Sequence, residues 1–141
     1  MTTFTPSTDS AQTTGYANLY DSIDLEVLRS FDDPEAPVED SLMIELIDLY
    51  LDETLRLLEN IREAINESNL DFVTLKAHSL KGSSSNLGIT GMASLGERLE
   101  HFRPDGPTRI ELLEELEHEF ARVRETLTEE RGRRVDANTD R

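Results

Sequence analysis

His78, Lys81, Gly82 and Ser85 stand at positions i, i+3, i+4 and i+7. On an α-helix that spacing gathers four residues on one face. A neutral imidazole is a competent nucleophile near pH 7. A lysine one turn away offsets the charge of a phosphoryl group attached to the ring. Glycine beside the histidine leaves no side chain to screen it, and the Ser85 hydroxyl adds a hydrogen-bonding group. The local sequence, AHSLKGSSSNLG over residues 77–88, is a costly way to build a helix. Glycine in a helix interior costs about 1 kcal/mol relative to alanine, and serine hydroxyls compete for nearby backbone groups. These residue types in this order suit a solvent-accessible histidine that accepts and returns a phosphoryl group.

Such a face needs a helix anchored on its other side. Val73, Ala77, Leu80, Ser84 and Leu87 follow a 4-3-4-3 spacing and form a core stripe. At about 100° per residue His78 lies roughly opposite that stripe. Ser84 fits a tight core position, and Ser83 a structural one. Ser68, with Asp71 three residues on, predicts a capping box at the start of this helix. Gly88 is suited to end it.

Further helices are expected around the motif helix. Residues 22–31 form a short amphipathic segment with Leu25 and Leu28 on one side. DDPEAP, residues 32–37, is a linker, and Pro37 can open a second helix that runs to about Asn66. Its apolar stripe is Ile44, Ile47, Leu51, Leu55, Leu58, Ile61 and Ile65. Thr90 can cap a fourth helix with Met92, Leu95, Leu99 and Phe102 inward. RPDGP, residues 103–107, breaks the pattern. A fifth helix then places Leu113, Leu116, Phe120, Val123 and Leu127 inward. His101 and His118 fall off these stripes and read as surface residues. No segment alternates with period 2 and no repeat is evident. Short connections between long helices predict an all-α fold, an up-and-down antiparallel four-helix bundle with a short additional N-terminal helix. The bundle is expected over residues 19–131. Residues 1–18 and 132–141 lack apolar periodicity and are expected to be disordered tails.

Composition narrows the class. The chain has 141 residues and a formal net charge of −16, from 30 acidic against 14 basic side chains. That balance argues against nucleic acid and anionic membranes as partners. There is no cysteine, hence no disulfide framework and no thiolate zinc site. The apolar run from Leu42 to Leu51 is interrupted by Glu45 and Asp48 and is too short to span a bilayer. The N-terminus lacks the basic-then-apolar pattern of a secretory signal, so the cytoplasm is the expected location.

AHSLKGSSSNLG resembles the signature of the histidine-containing phosphotransfer (HPt) domain. That signature is H-x-x-K-G-S/A, followed by a glycine ten residues after the histidine. His78, Lys81, Gly82, Ser83 and Gly88 occupy the motif positions. A looser similarity extends from about Ile23 to Arg131 and includes GERLE, residues 96–100. The resemblance implies a four-helix bundle whose histidine carries phosphate between receiver domains of a His–Asp phosphorelay. It makes His78 the phosphorylated residue, with Lys81 steadying the phosphate and Gly82 keeping the ring accessible. It implies response-regulator receiver domains and a hybrid sensor histidine kinase as partners, and the chain is expected to be a monomer. No Mg²⁺-type carboxylate cluster beside His78 and no phosphate-cradling glycine loop is apparent. The expectation is therefore a phosphocarrier, not an enzyme, with no cofactor or metal of its own; the receiver would supply the aspartate and the metal.

Two other classes compete. A carboxylate-bridged metal bundle needs paired, inward Glu-x-x-His motifs. Only Glu115 to His118 has that spacing, and Leu116 between them is the residue that points to the core. A non-catalytic helical scaffold or interaction bundle also suits acid-rich faces such as ELLEELEHE, residues 111–119. The second helix carries extra apolar residues, Leu42, Leu46 and Leu49, roughly opposite Ile44, Ile47 and Leu51. The short first helix is expected to cover most of that face. HPt domains commonly dock receivers through an apolar patch near the histidine. Leu75, about 60° from His78 on the motif helix, is expected to join Leu42, Leu46 and Leu49 in such a patch.

Overall fold

Side-chain caps and left-handed turns fix most helix ends in this chain. A computed structural model describes residues 23–139; the tail expected over residues 1–18 lies outside them. Asp24 accepts hydrogen bonds from the N–H groups of Glu26 and Val27, at 3.1 and 3.4 Å, and caps α1 (Leu25–Arg29). Pro37 opens a single 3₁₀ turn (Val38–Asp40) rather than the long helix. The cap of α2 (Leu42–Asn66) is Ser41, whose Oγ accepts from the Ile44 N–H and donates to Asp32 Oδ1 at 2.9 Å. Ser68 is not the cap of α3 (Leu70–Asn86); Asn69 is, accepting from the Phe72 N–H at 3.4 Å. Ser68 instead closes α2 with a φ of 58°. The N–H groups of Ser68 and Asn69 reach back to Ile65 O and Ala64 O, a Schellman turn made without glycine.

The next turn is the same motif. The N–H groups of Gly88 and Ile89 reach Ser85 O and Ser84 O at 3.1 and 2.9 Å, with Gly88 at a φ of 76°. Gly88 is therefore the C′ residue that the sequence suggested. It is required twice over, because a Cβ there would lie 2.8 Å from Val27 Cβ. The Asp24 N–H also donates to Gly88 O at 2.7 Å, so α1 is seated on this turn. α4 (Thr90–Glu100) begins one residue earlier than a Thr90 cap would place it, after Ile89 and with no side-chain cap. α5 (Arg109–Thr139) starts with a reciprocal capping box. Thr108 N–H donates to Glu111 Oε1 at 2.8 Å, and Glu111 N–H donates to Thr108 Oγ1 at 3.1 Å. The T-x-x-E signal for that box stands in the sequence at Thr108 to Glu111.

The four long helices close into a ring. α2 packs on α3 and α5, and α4 packs on α3 and α5. Among the described residues there is no strand, and no helix is long and apolar enough to cross a membrane. The core stripes of α3 and α5 are as expected, with Val73, Ala77, Leu80, Ser84, Leu113, Leu116, Phe120, Val123 and Leu127 all buried. The stripe of α2 differs. Its buried line is Met43, Ile47, Tyr50, Thr54, Leu58 and Ile61, with Ile44 and Ala64 alongside, while Leu55 is 44% exposed. Counting only aliphatic residues missed that a tyrosine and a threonine share the inward line. Leu28 of α1 is fully buried and Leu25 packs partly against the core.

The expectation of a disordered tail over residues 132–141 is corrected over 132–139 by α5, which continues to Thr139; residues 140–141 lie outside the described residues. The reason is polar, so apolar periodicity could not reveal it. Arg134 pairs with Asp32 at 2.7 Å, and the two side chains are only 8% and 9% exposed. Arg134 also donates to the carbonyls of Asp33 and Ala36, at 3.0 and 2.7 Å, which fastens the linker between α1 and α2. Arg29 makes a two-pronged contact with Glu130 at 2.6 and 2.9 Å, tying α1 to the same stretch. Arg131 holds Asp48 of α2 at 2.9 and 3.1 Å.

Arg134→Met should therefore destabilise the fold by about 3 kcal/mol, the usual cost of stranding one partner of a buried ion pair. Urea unfolding measures it, and a chain ended after Arg131 should show a comparable loss. A second expectation concerns acid. The Arg29 hydrogen bonds hold the Glu130 carboxyl below its ordinary range, against a burial that pushes it up. A carboxyl with a lowered folded value stabilises above its unfolded value and loses that contribution as pH falls through the folded one. Glu130→Gln should be less stable than the parent at pH 7, and the gap should narrow as the pH falls below the ordinary glutamate range.

Candidate functional site

α3 presents His78 as its helical phase predicts. The core residues Ala77 and Leu80 are fully buried, while the His78 side chain is 64% exposed. Gly82, one turn on, has nothing within 4 Å of where a Cβ would stand. Ser85 is exposed on the same face. Ser83 donates back to Leu80 O at 3.3 Å, a local role. Ser84 faces inward, where its Oγ shares a 2.7 Å hydrogen bond with Tyr50 Oη. Burial, offset in part by that hydrogen bond, pushes the Tyr50 phenol up to about 12.

The surroundings of His78 come from α4. Gly96 is buried against α3, and a Cβ on it would lie 3.2 Å from Lys81 N and 3.3 Å from Ala77 O. That close approach carries Glu97 and Glu100 onto the histidine face. Glu100 Oε2 sits 2.7 Å from His78 Nδ1. A carboxylate only accepts, so Nδ1 carries the proton, and a neutral ring then keeps its free lone pair on Nε2. Lys81 Nζ donates to Glu97 Oε1 at 2.8 Å and makes an ion pair with Glu100 Oε1 at 3.1 Å. Glu97 Oε2 lies 3.4 Å from His101 Nδ1.

These contacts set the charges. The hydrogen bond to Glu97, then the contact with Glu100, hold the Lys81 ammonium above its ordinary value. Glu97 is lowered chiefly by Lys81. Burial pushes Glu100 up, but Lys81 and His78 together outweigh it and leave the carboxyl below its usual range. The absence of a carboxylate cluster beside His78, expected above, is thus corrected. The signal was in the sequence: Met92, Gly96 and Leu99 share the inward line of α4, and a glycine there marks a close helix contact flanked by Glu97 and Glu100. Donor atoms of Glu97, Glu100 and His101 lie within 4.8 Å of one another. An ion there would compete with the Lys81 ammonium, which already holds both carboxylates.

The four docking leucines do not form one patch. Leu75 is 58% exposed, and Leu42 and Leu49 are about half exposed, while Leu46 packs partly against the core. α2 ends at Asn66 and α3 begins at Leu70, so antiparallel neighbours put Leu75 level with about residue 61. At 1.5 Å per residue Leu49 is then about 18 Å away along the axis and Leu42 about 28 Å. α1 sits on the Gly88 turn and against Glu130, and it leaves Leu42 and Leu49 open. By the same register the exposed Leu55 is level with Lys81, nearer to the level of His78 along the axis than Leu42, Leu46 or Leu49.

A family model described as Hpt domain matches residues 45–126 of the chain. The crystal structure of histidine-containing phosphotransfer protein B (HptB) from Pseudomonas aeruginosa PAO1 is similar, with a TM-score of 0.71 and 29% identity over 81% of this chain and 97% of that one. A comparison with curated protein sequences finds no match.

The two glycines of the site should respond oppositely to alanine. Gly82→Ala should stabilise the protein by up to about 1 kcal/mol, since the new methyl meets nothing and helix propensity improves. Gly96→Ala should destabilise it by about 1–3 kcal/mol, because the atoms it meets belong to backbone and cannot turn aside. Denaturant unfolding of both variants checks the pair.

Proposed function

Since the chain belongs to the Hpt domain family, whose members carry phosphoryl groups in phosphorelays, we propose that His78 is the residue that does so here. In this reading Nε2 attacks the phosphorus of an aspartyl phosphate on a response-regulator receiver domain. The N–P bond forms as the O–P bond to the aspartate breaks, and the aspartate leaves as a carboxylate. The return transfer reverses each change. The observation that carries the reading is the hydrogen bond from Nδ1 to Glu100, which leaves Nε2 as the free nitrogen on an open face.

The neighbours take complementary parts. Glu100 orients the ring and stabilises the positive charge that develops on it during attack. Lys81 offsets the phosphoryl charge. Gly82 leaves room for the receiver's active-site loops, and Ser85 offers a hydroxyl on the same face. The receiver brings the aspartate and the divalent metal, so this chain acts as a carrier and not as a kinase. Leu75 is the apolar residue on the same helix proposed to touch the receiver. A hybrid sensor histidine kinase upstream and a cytoplasmic location complete the proposal.

Incubation with a ³²P-labelled receiver domain tests it. The wild-type protein should gain an acid-labile label, and His78→Gln should gain none while keeping its helical circular dichroism. Label on His101 or His118 in that variant would contradict the assignment. Gly82→Gln should slow transfer at least tenfold without loss of stability, and Leu75→Asp should weaken receiver binding with little change in melting temperature.

A further inference from the structure

The charge around Lys81 is unbalanced. One ammonium lies between two carboxylates, at 2.8 Å from Glu97 and 3.1 Å from Glu100. That leaves one negative charge in excess beside the ring of His78. Glu100 has a second task, because its other oxygen holds His78 Nδ1 at 2.7 Å. Glu97 has no contact with that ring. It is exposed, and its two oxygens go to Lys81 and to His101.

We infer that Glu97 is a positioning residue that competes with the phosphoryl group for Lys81, and so makes phospho-His78 a donor rather than a store. The inference rests on the assignment of His78 made above. A phosphoryl group brings about 1.5–2 negative charges at neutral pH. To pair with Lys81 it must displace Glu97, and it then faces the freed carboxylate within the reach of one lysine side chain. Both effects raise the free energy of the phosphorylated form and leave free His78 untouched. Neither acts on the receiver's aspartyl phosphate. The balance between the two carriers is therefore tilted toward the receiver, as the phosphoryl group leaves Nε2, the ring regains its lone pair, and the aspartate gains an O–P bond.

The measurement is the equilibrium ratio of label on this protein to label on a receiver domain. The receiver is one that exchanges phosphate with the wild-type chain, charged with ³²P-labelled acetyl phosphate and then desalted into buffer that keeps Mg²⁺. Glu97→Gln should raise the ratio about three- to tenfold at low salt, and the rise should shrink at high salt, as expected for half-exposed charges. Glu97→Asp, which keeps the charge, should stay near the parent. Glu129→Gln removes an equal charge far along α5, beside Arg133, and should leave the ratio unchanged. Label on His78 with an unaltered ratio in Glu97→Gln overturns the inference alone, as does an equal rise in Glu129→Gln. Label that exchanges with the wild-type chain but sits on a residue other than His78 overturns the phosphocarrier assignment and this inference with it.

Discussion

The contact network around His78 depends on a close approach of two helix backbones, and that approach is made at Gly96. A side chain at this position would press on the backbone of Ala77 and Lys81. Its absence lets α4 lie against the outward edge of α3, so that Glu97 and Glu100 reach Lys81 and His78. The ring orientation, the protonated Nδ1 and the raised ammonium all follow from that one spacing. A wider crossing would leave the same residues as separate solvated charges, worth little to one another.

The motif helix gains little from its own sequence. It holds a glycine and four serines within residues 77–86, and its stability comes from packing of its inner face, as is usual for helices in proteins. That face is fully buried from Val73 to Ser84, its start is capped by Asn69 and its end is closed by the Gly88 turn. Stability and presentation are thereby assigned to opposite sides of one helix. The outer side is left free to carry residues chosen for chemistry.

Legibility followed the type of interaction. The inward lines of α3 and α5 were readable because aliphatic residues recur at helical spacing, and the outward phase of His78 came with them. The line of α2 was misread at Leu55 because Tyr50 and Thr54, polar by name, are the residues that point inward. The last two turns of α5 are hidden for a related reason: Arg134 is buried through hydrogen bonds to Asp32 and two carbonyls, which no apolar count registers. Glu97 and Glu100 belong to a different helix from His78, so the spacing on α3 does not reveal them; Gly96 on the inward line of α4 is the signal that does. Ser68 and Asn69 were confused as caps because a left-handed serine ends α2 where a glycine would ordinarily announce the turn.

The bond between Tyr50 and Ser84 gives the molecule an optical property. The chain has no tryptophan, and Tyr50 is the one tyrosine among the described residues. Its hydroxyl touches the inner side of the helix that carries His78 on its outer side. The part of the near-ultraviolet dichroism that Tyr50→Phe removes belongs to this phenol and reports on the seating of α3, with no label attached. Because the buried phenol ionises only at about 12, its spectrum stays that of the neutral ring through the range in which exposed tyrosines begin to titrate. The core thus supplies its own spectroscopic marker for the helix on which the surface chemistry depends.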